Sequence, residues 1–225
     1  MFGDALVPII LVLALAVMGI GFYLSKKRHE RFAEAARQRG WTYHKKLSSM
    51  RRQVVEDVRG GRAGNEFVSV FEGSFDGQPF FAGTAQWTEN RGSGDNRRTE
   101  TFHRKVLTRP IALQAPRMRL EKEGLLKNIF NRDLKTEWEV FNKTWIINGD
   151  DPRFVSAVLS PTMQQWLMDH TEYQFALRSG WITVFAGEDR RLEVEEVDGF
   201  LAASAGFCNQ IAPFIWQDYG TGPRP

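Results

Sequence analysis

Four histidines, one cysteine and one pair of adjacent aspartates are the side chains of this sequence that could carry acid–base, thiolate or metal chemistry. The histidines His29, His44, His103 and His170 are scattered, with no His-x-x-x-His or Cys-x-x-Cys spacing to direct two ligands at one ion. No metal centre is therefore expected. His29 belongs to a basic segment, and His170 shares a helical face with Met163, Trp166 and Leu167, where it reads as a packed or capping residue. His103 follows Glu100 on an extended run beside Arg104 and Lys105. With Asp95 in the preceding loop, it is the nearest approach to an acid–base set, although a solvated strand face is the ordinary reading.

Cys208 has no histidine or acid near it in sequence, and helical spacing turns it inward, so a structural thiol is expected. Asp150-Asp151 precede Pro152, the pattern of a turn and an N-cap. The glycine-rich stretches Gly60-Gly61-Arg62-Ala63-Gly64 and Arg91-Gly92-Ser93-Gly94 lack the Gly-Lys-Ser/Thr ending of a phosphate-binding loop. No catalytic, cofactor-binding or metal-ligating residue is assigned, and no cofactor is expected.

The strongest chemical signal is instead a concentration of positive charge. Lys26, Lys27, Arg28, Arg31, Arg37, Arg39, Lys45, Lys46, Arg51 and Arg52 face only Glu30 and Glu34, a local balance of +8. From Gln53 onward 20 basic residues meet 24 acidic ones, giving −4. The overall charge of +3 thus belongs to this segment, and it gives no ground for a nucleic-acid partner. Directly before it, Ala5 to Leu24 is an uncharged run rich in Leu, Ile, Val and Ala. At about 1.5 Å per residue such a helix matches a hydrocarbon core of about 30 Å. Only Met1-Phe2-Gly3-Asp4 precede it, without the basic start of a cleaved signal peptide. The expectation is a single-pass anchor with the N-terminus outside and the rest cytosolic, since positive flanks stay on the cytoplasmic side. The ten basic residues would then contact anionic lipid headgroups, each contributing about 1 kcal/mol near the surface.

Behind the anchor, Glu30 to Gly40 reads as a helix continuing the membrane segment, followed by an extended Trp41-Thr42-Tyr43-His44. A hairpin runs from Phe67–Phe71 through Asp76-Gly77 into Phe80-Phe81 and Trp87, setting Phe80 opposite Gly73 and Ala82 opposite Phe71. Both faces carry apolar residues, so part of the sheet is expected to be covered twice. Glu89 to Arg98 reads as a loop, Thr99 to Thr108 as a third strand, and Met118 to Glu121 as a short one. Thr144 to Ile147 is a further strand, and Tyr173–Leu177 with Trp181–Phe185 form a hairpin around Ser179-Gly180. Helices start at Asp151-Pro152 and Ser160-Pro161. A last helix spans Val197 to Ile215, with Phe200, Leu201, Ser204, Cys208, Ile211 and Ile215 inward, a neighbouring small stripe of Ala202, Ala205, Gly206, Asn209 and Ala212, and Pro213 as a bend or end.

Four phrases, Glu137-Trp138-Glu139-Val140-Phe141-Asn142, Asp150-Asp151-Pro152-Arg153-Phe154, Leu159-Ser160-Pro161-Thr162-Met163 and Phe214-Ile215-Trp216-Gln217-Asp218-Tyr219-Gly220, together with the anchor, resemble an uncharacterised group of actinobacterial single-pass membrane proteins. The resemblance implies a bacterial protein with a cytosolic domain, and it supplies no catalytic residues.

The expected organisation is an anchor over 1–25, a basic juxtamembrane stalk over 26–52, an α+β domain over 53–220 and a tail over 221–225. Its fold class is α+β, a mainly antiparallel sheet packed by helices that include a C-terminal one. The expected role is a membrane-tethered interaction or accessory domain that holds a protein partner at the inner leaflet. The alternatives are an enzyme acting on a membrane-associated substrate through His103, Glu100 and Asp95, and a lipid-binding domain.

Overall fold

The computed structural model describes residues 6–47, 66–91, 97–122, 134–187 and 190–222, with side chains described from Leu15 onward and not at 89–91. Eight strands form one sheet: β1 (Thr42–Leu47), β2 (Glu66–Phe75), β3 (Gln78–Arg91), β4 (Arg98–Pro110), β5 (Met118–Lys122), β6 (Trp145–Gly149), β7 (Gln174–Arg178) and β8 (Trp181–Ala186). Their order is β1-β2-β3-β4-β8-β7-β5-β6, and every pairing is antiparallel. Six described helices, α1 (Leu6–Gln38), α2 (Glu139–Thr144), α3 (Pro152–Val158), α4 (Pro161–Asp169), α5 (Val194–Gln210) and α6 (Pro213–Tyr219), complete the α+β fold.

Turn chemistry fixes the register. Asp76 and Gly77 both have positive φ (50° and 73°), as do Ser179 and Gly180 (41° and 83°), the backbone that a two-residue hairpin turn requires. Phe80 pairs with Gly73 and Ala82 with Phe71, as the sequence predicts. The space over Gly73 is taken by Trp41, whose Cδ1 would lie 2.4 Å from a Cβ there. A bulge between Val68 and Phe71, with Ser69 at φ 52°, lets Phe67 and Phe71 face opposite sides of the sheet, which strict alternation forbids.

Two apolar clusters result. The larger gathers Phe71, Leu107, Met118, Phe175 and Val184 from the strands with the buried apolar side chains of the described helices. The smaller, Phe67, Val70, Ala85, Val106, Ala176 and Phe185, covers the other face, as expected from strands apolar on both sides.

Several boundaries differ from the sequence reading. β3 runs on to Arg91, where Glu89, Asn90 and Arg91 pair with Glu100, Thr99 and Arg98, so the loop read over Glu89–Arg98 starts later. A long hairpin can continue beyond its buried part because the ladder itself satisfies the backbone. The sixth strand lies at Trp145–Gly149, after the short helix α2. The last helix is broken: α5 stops at Gln210, and Pro213 starts α6, where its missing N–H costs no hydrogen bond. Phe200, Leu201, Ser204, Cys208, Ile211 and Ile215 are all buried. Of the small stripe, Ala202 and Asn209 are exposed, Gly206 lies close beneath Trp166, and Ala212 packs against the core.

Helix α1 continues unbroken from the apolar run and ends at Gly40 (φ 73°), where Trp41 N–H donates to Ala36 O at 2.8 Å in a Schellman-type cap. Among the described residues no helix is long and apolar enough to cross a membrane. The described side chains of the run begin at Leu15, and the stretch from there to Leu24 covers about 15 Å. Phe32 and Ala36 are 1% and 0% exposed, and β1 pairs with β2 over Thr42–Leu47. The folded unit thus begins upstream of residue 53, inside the segment read as a stalk; Arg51 and Arg52 lie outside the described residues.

Truncating Phe32 should therefore act as a core mutation. Phe32→Ala is expected to destabilise the full chain in detergent by about 3 kcal/mol, and Arg37→Gln by less than about 0.5 kcal/mol, measured by denaturant unfolding followed by tryptophan fluorescence.

Candidate functional site

The Phe32 ring lies 5.8 Å from Tyr43 and 5.9 Å from Phe71, and the rings of Tyr43 and Phe71 are 5.2 Å apart. This trio fixes the helix on the edge of the sheet. One turn earlier, His29 stacks on Tyr43 at 5.9 Å, with Nδ1 and the hydroxyl 2.5 Å apart. Between the helix and β1 a cleft of about 450 Å³ opens, lined by Phe22, Lys26, His29, Glu30, Tyr43 and Lys45 among others. Its wall is largely apolar with ammonium groups beside it. Burial, then Lys45, Arg28 and Arg191, push the His29 pKa below its usual value, so the ring is neutral near pH 7. Burial raises the Tyr43 pKa, which keeps the phenol protonated.

The eight basic residues of this segment that are described, all but Arg51 and Arg52, separate into distinct roles. Arg31 meets Glu193 at 3.2 Å and Glu195 at 3.9 Å, and Arg39 meets Asp198 at 3.4 Å, so these two bind α1 to α5. Arg37 pairs with Glu34 (2.6 Å), Lys46 with Glu66 (2.5 Å) and Lys26 loosely with Glu30 (3.9 Å). Lys27, Arg28 and Lys45 make no ion pair among the described residues. The charge available to an outside anion is therefore concentrated near Lys26–Arg28 and Lys45. Sequence could not show this, because the acidic partners of Arg31 and Arg39 are more than 150 residues away.

The residues considered for acid–base work are not brought together. Glu100 and His103 stand three positions apart on β4 and project to opposite faces. Asp95 lies outside the described residues. His103 is half-buried, and burial followed by Arg191 lowers its pKa. Cys208 is buried against Arg109, with Nη2 3.7 Å from Sγ; burial pushes the thiol up to about 11, far from a reactive thiolate. Asp151 caps α3 by accepting from Arg153 N–H (2.8 Å) and Phe154 N–H (3.3 Å). His170 caps α4, its Nδ1 2.8 Å from Trp166 O. Among the described residues no three His, Cys, Asp or Glu side chains converge as a metal site would require.

The sequence reading missed the buried charges. Glu196 accepts from Lys105 Nζ (2.6 Å) and from Glu193 N–H (3.0 Å), joining the first turn of α5 to β4. On the opposite face Arg104 (3.5 Å) and Arg119 (2.5 Å) share Glu121 while both guanidiniums approach the Phe185 ring. Arg109 donates to Ser204 at 2.8 Å. The Glu193-x-x-Glu196 spacing before an apolar run was a readable capping signal. The arginines on β4 and β5 had none, because alternation alone does not say which charged strand position is covered.

No family model matches the chain, and no curated protein matches it. Among solved structures, the crystal structure of the mycobacterial trehalose monomycolate transport factor A, TtfA, is similar, at 10% sequence identity and a TM-score of 0.53 over 87% of this chain and 97% of that one. At that identity the likeness is one of fold.

His29 and His103 both have lowered pKa values in the folded chain, so the unfolded chain binds more protons once the pH falls to the ordinary histidine range. Stability should fall with decreasing pH from about 7 to 5. Melting temperatures over that window should show the loss, and it should be shallower in His29→Gln/His103→Gln than in the unmodified chain.

Proposed function

We propose that the protein is a membrane-tethered accessory domain of a lipid-transport assembly, held by α1 at the inner leaflet to engage a membrane-protein partner. The observation that carries this reading is the continuity of α1, which passes from an apolar run directly into the domain core at Phe32 and Ala36. Around the upper part of the helix, Leu15, Val17, Met18, Ile20, Phe22, Tyr23 and Leu24 are each more than half exposed, a surface suited to lipid rather than water. The positive residues that follow orient the domain toward the cytosol. The transport role rests on the fold shared with a mycobacterial transport factor. The separation of Glu100 from His103 favours an accessory role over the acid–base alternative.

The full chain expressed in a mycobacterial host should remain in the membrane pellet after alkaline carbonate washing. A fluorescent reporter that matures only in the cytosol should be active when fused after Pro225. After gentle solubilisation the chain should co-purify at fixed ratio with an integral membrane protein of a lipid exporter. Release by carbonate would contradict the anchor, a silent cytosolic reporter the orientation, and recovery of the chain alone the accessory role.

A further inference from the structure

The cleft between α1 and β1 has a composition and a position that together specify a ligand. Phe22, Ala33 and Tyr43 give it an apolar wall, and Lys26 and Lys45 stand at it from the helix and the strand respectively. Arg28 and Arg191 add positive charge, since both act electrostatically on His29 in its lining. The opposing charge in the lining is Glu30, whose ion pair with Lys26 is long, at 3.9 Å, with both side chains about two-thirds exposed. Such a pair is worth little, and an incoming anion can draw the Lys26 ammonium away. Lys45 makes no ion pair among the described residues.

The cleft spans the point where the uncharged run ends, between Leu24 and Lys26. On the reading that α1 is a membrane anchor, this is headgroup depth. We infer that the cleft holds one anionic phospholipid of the inner leaflet, with its phosphate between Lys26 and Lys45, its headgroup beyond them beside Ala33 and Tyr43, and its upper acyl portion against Phe22 on the membrane side. An occupied cleft would join helix and sheet at their contact, so the lipid would act as a wedge that fixes the angle of the domain to the membrane. The volume of about 450 Å³ admits a headgroup and the start of its chains but not a whole lipid, so the remaining acyl length stays in the bilayer. A free phosphate would use the lysines and leave the apolar wall unfilled.

The test uses the full chain in lipid nanodiscs, either wholly phosphatidylcholine or with about a third phosphatidylglycerol, and native mass spectrometry to count the phosphatidylglycerol kept after stripping the disc. Co-elution of chain and disc reports the anchor independently of lipid identity. One retained phosphatidylglycerol per chain is expected, with about fivefold or greater loss of occupancy in Lys45→Gln and a further loss in Lys26→Gln/Lys45→Gln. Lys143→Gln, on α2 far from the cleft in sequence and paired with Glu139, should retain the lipid. Inorganic phosphate at millimolar concentration should not displace it. Equal retention in Lys45→Gln and the unmodified chain, or full displacement by phosphate, would overturn the site even if the chain co-elutes with the disc. Failure to co-elute would overturn the anchor, and the lipid site with it.

Discussion

The packing of Phe32 against Tyr43 and Phe71, with Ala36 buried in the same core, is the constraint on which the remaining architecture depends. A helix ending in a flexible linker would leave the domain free to turn relative to it. Here the last two turns of α1 bury Phe32 and Ala36 in the core, and the Gly40 cap delivers the chain straight into β1. The first strand of the sheet is thereby attached to the helix that leaves it, and burial of one phenylalanine, worth about 1.5–3 kcal/mol, stabilises both the domain and its orientation.

That constraint also decides what the basic residues can do. A segment with a balance of +8 would, if extended, spread its charge along the membrane. Folded, it turns Arg31 toward the acidic start of α5, where Glu193 and Glu195 also favour the positive end of the helix dipole, and Arg39 toward Asp198 in the next turn. The lysines at the α1–β1 junction remain directed outward. The same sequence feature thus divides into residues paired with α5 and residues left without an ion pair among the described residues, and only the fold separates them.

Elements governed by local rules were legible in the sequence. Asp76-Gly77 and Ser179-Gly180 fix their turns by φ, Asp151-Pro152 and Ser160-Pro161 fix helix starts by hydrogen-bonding capacity, and Gly40 fixes a stop. Features that depend on distant partners were not. The Ser69 bulge has no distinctive local composition, and the continuation of β3 to Arg91 through a polar stretch depends on β4 being opposite. Sequence reading named Lys26 and Lys45 among possible lipid contacts, yet their convergence on one cleft depends on β1 folding back along α1. The Arg104–Glu121–Arg119 cluster was invisible for the same reason, since its burial is a property of the assembled sheet.

The central claim is that α1 and the sheet form one rigid body, and distance measurement by pulsed electron spin resonance tests it most directly. Spin labels at Met18→Cys on α1 and Ala202→Cys on α5 occupy exposed positions, while Cys208 is buried with a raised pKa and stays unlabelled. In nanodiscs the account expects a single narrow distance distribution, which broadens when Phe32 is replaced by Ala. A broad distribution in the unmodified chain, of the kind a flexible tether gives, would contradict it.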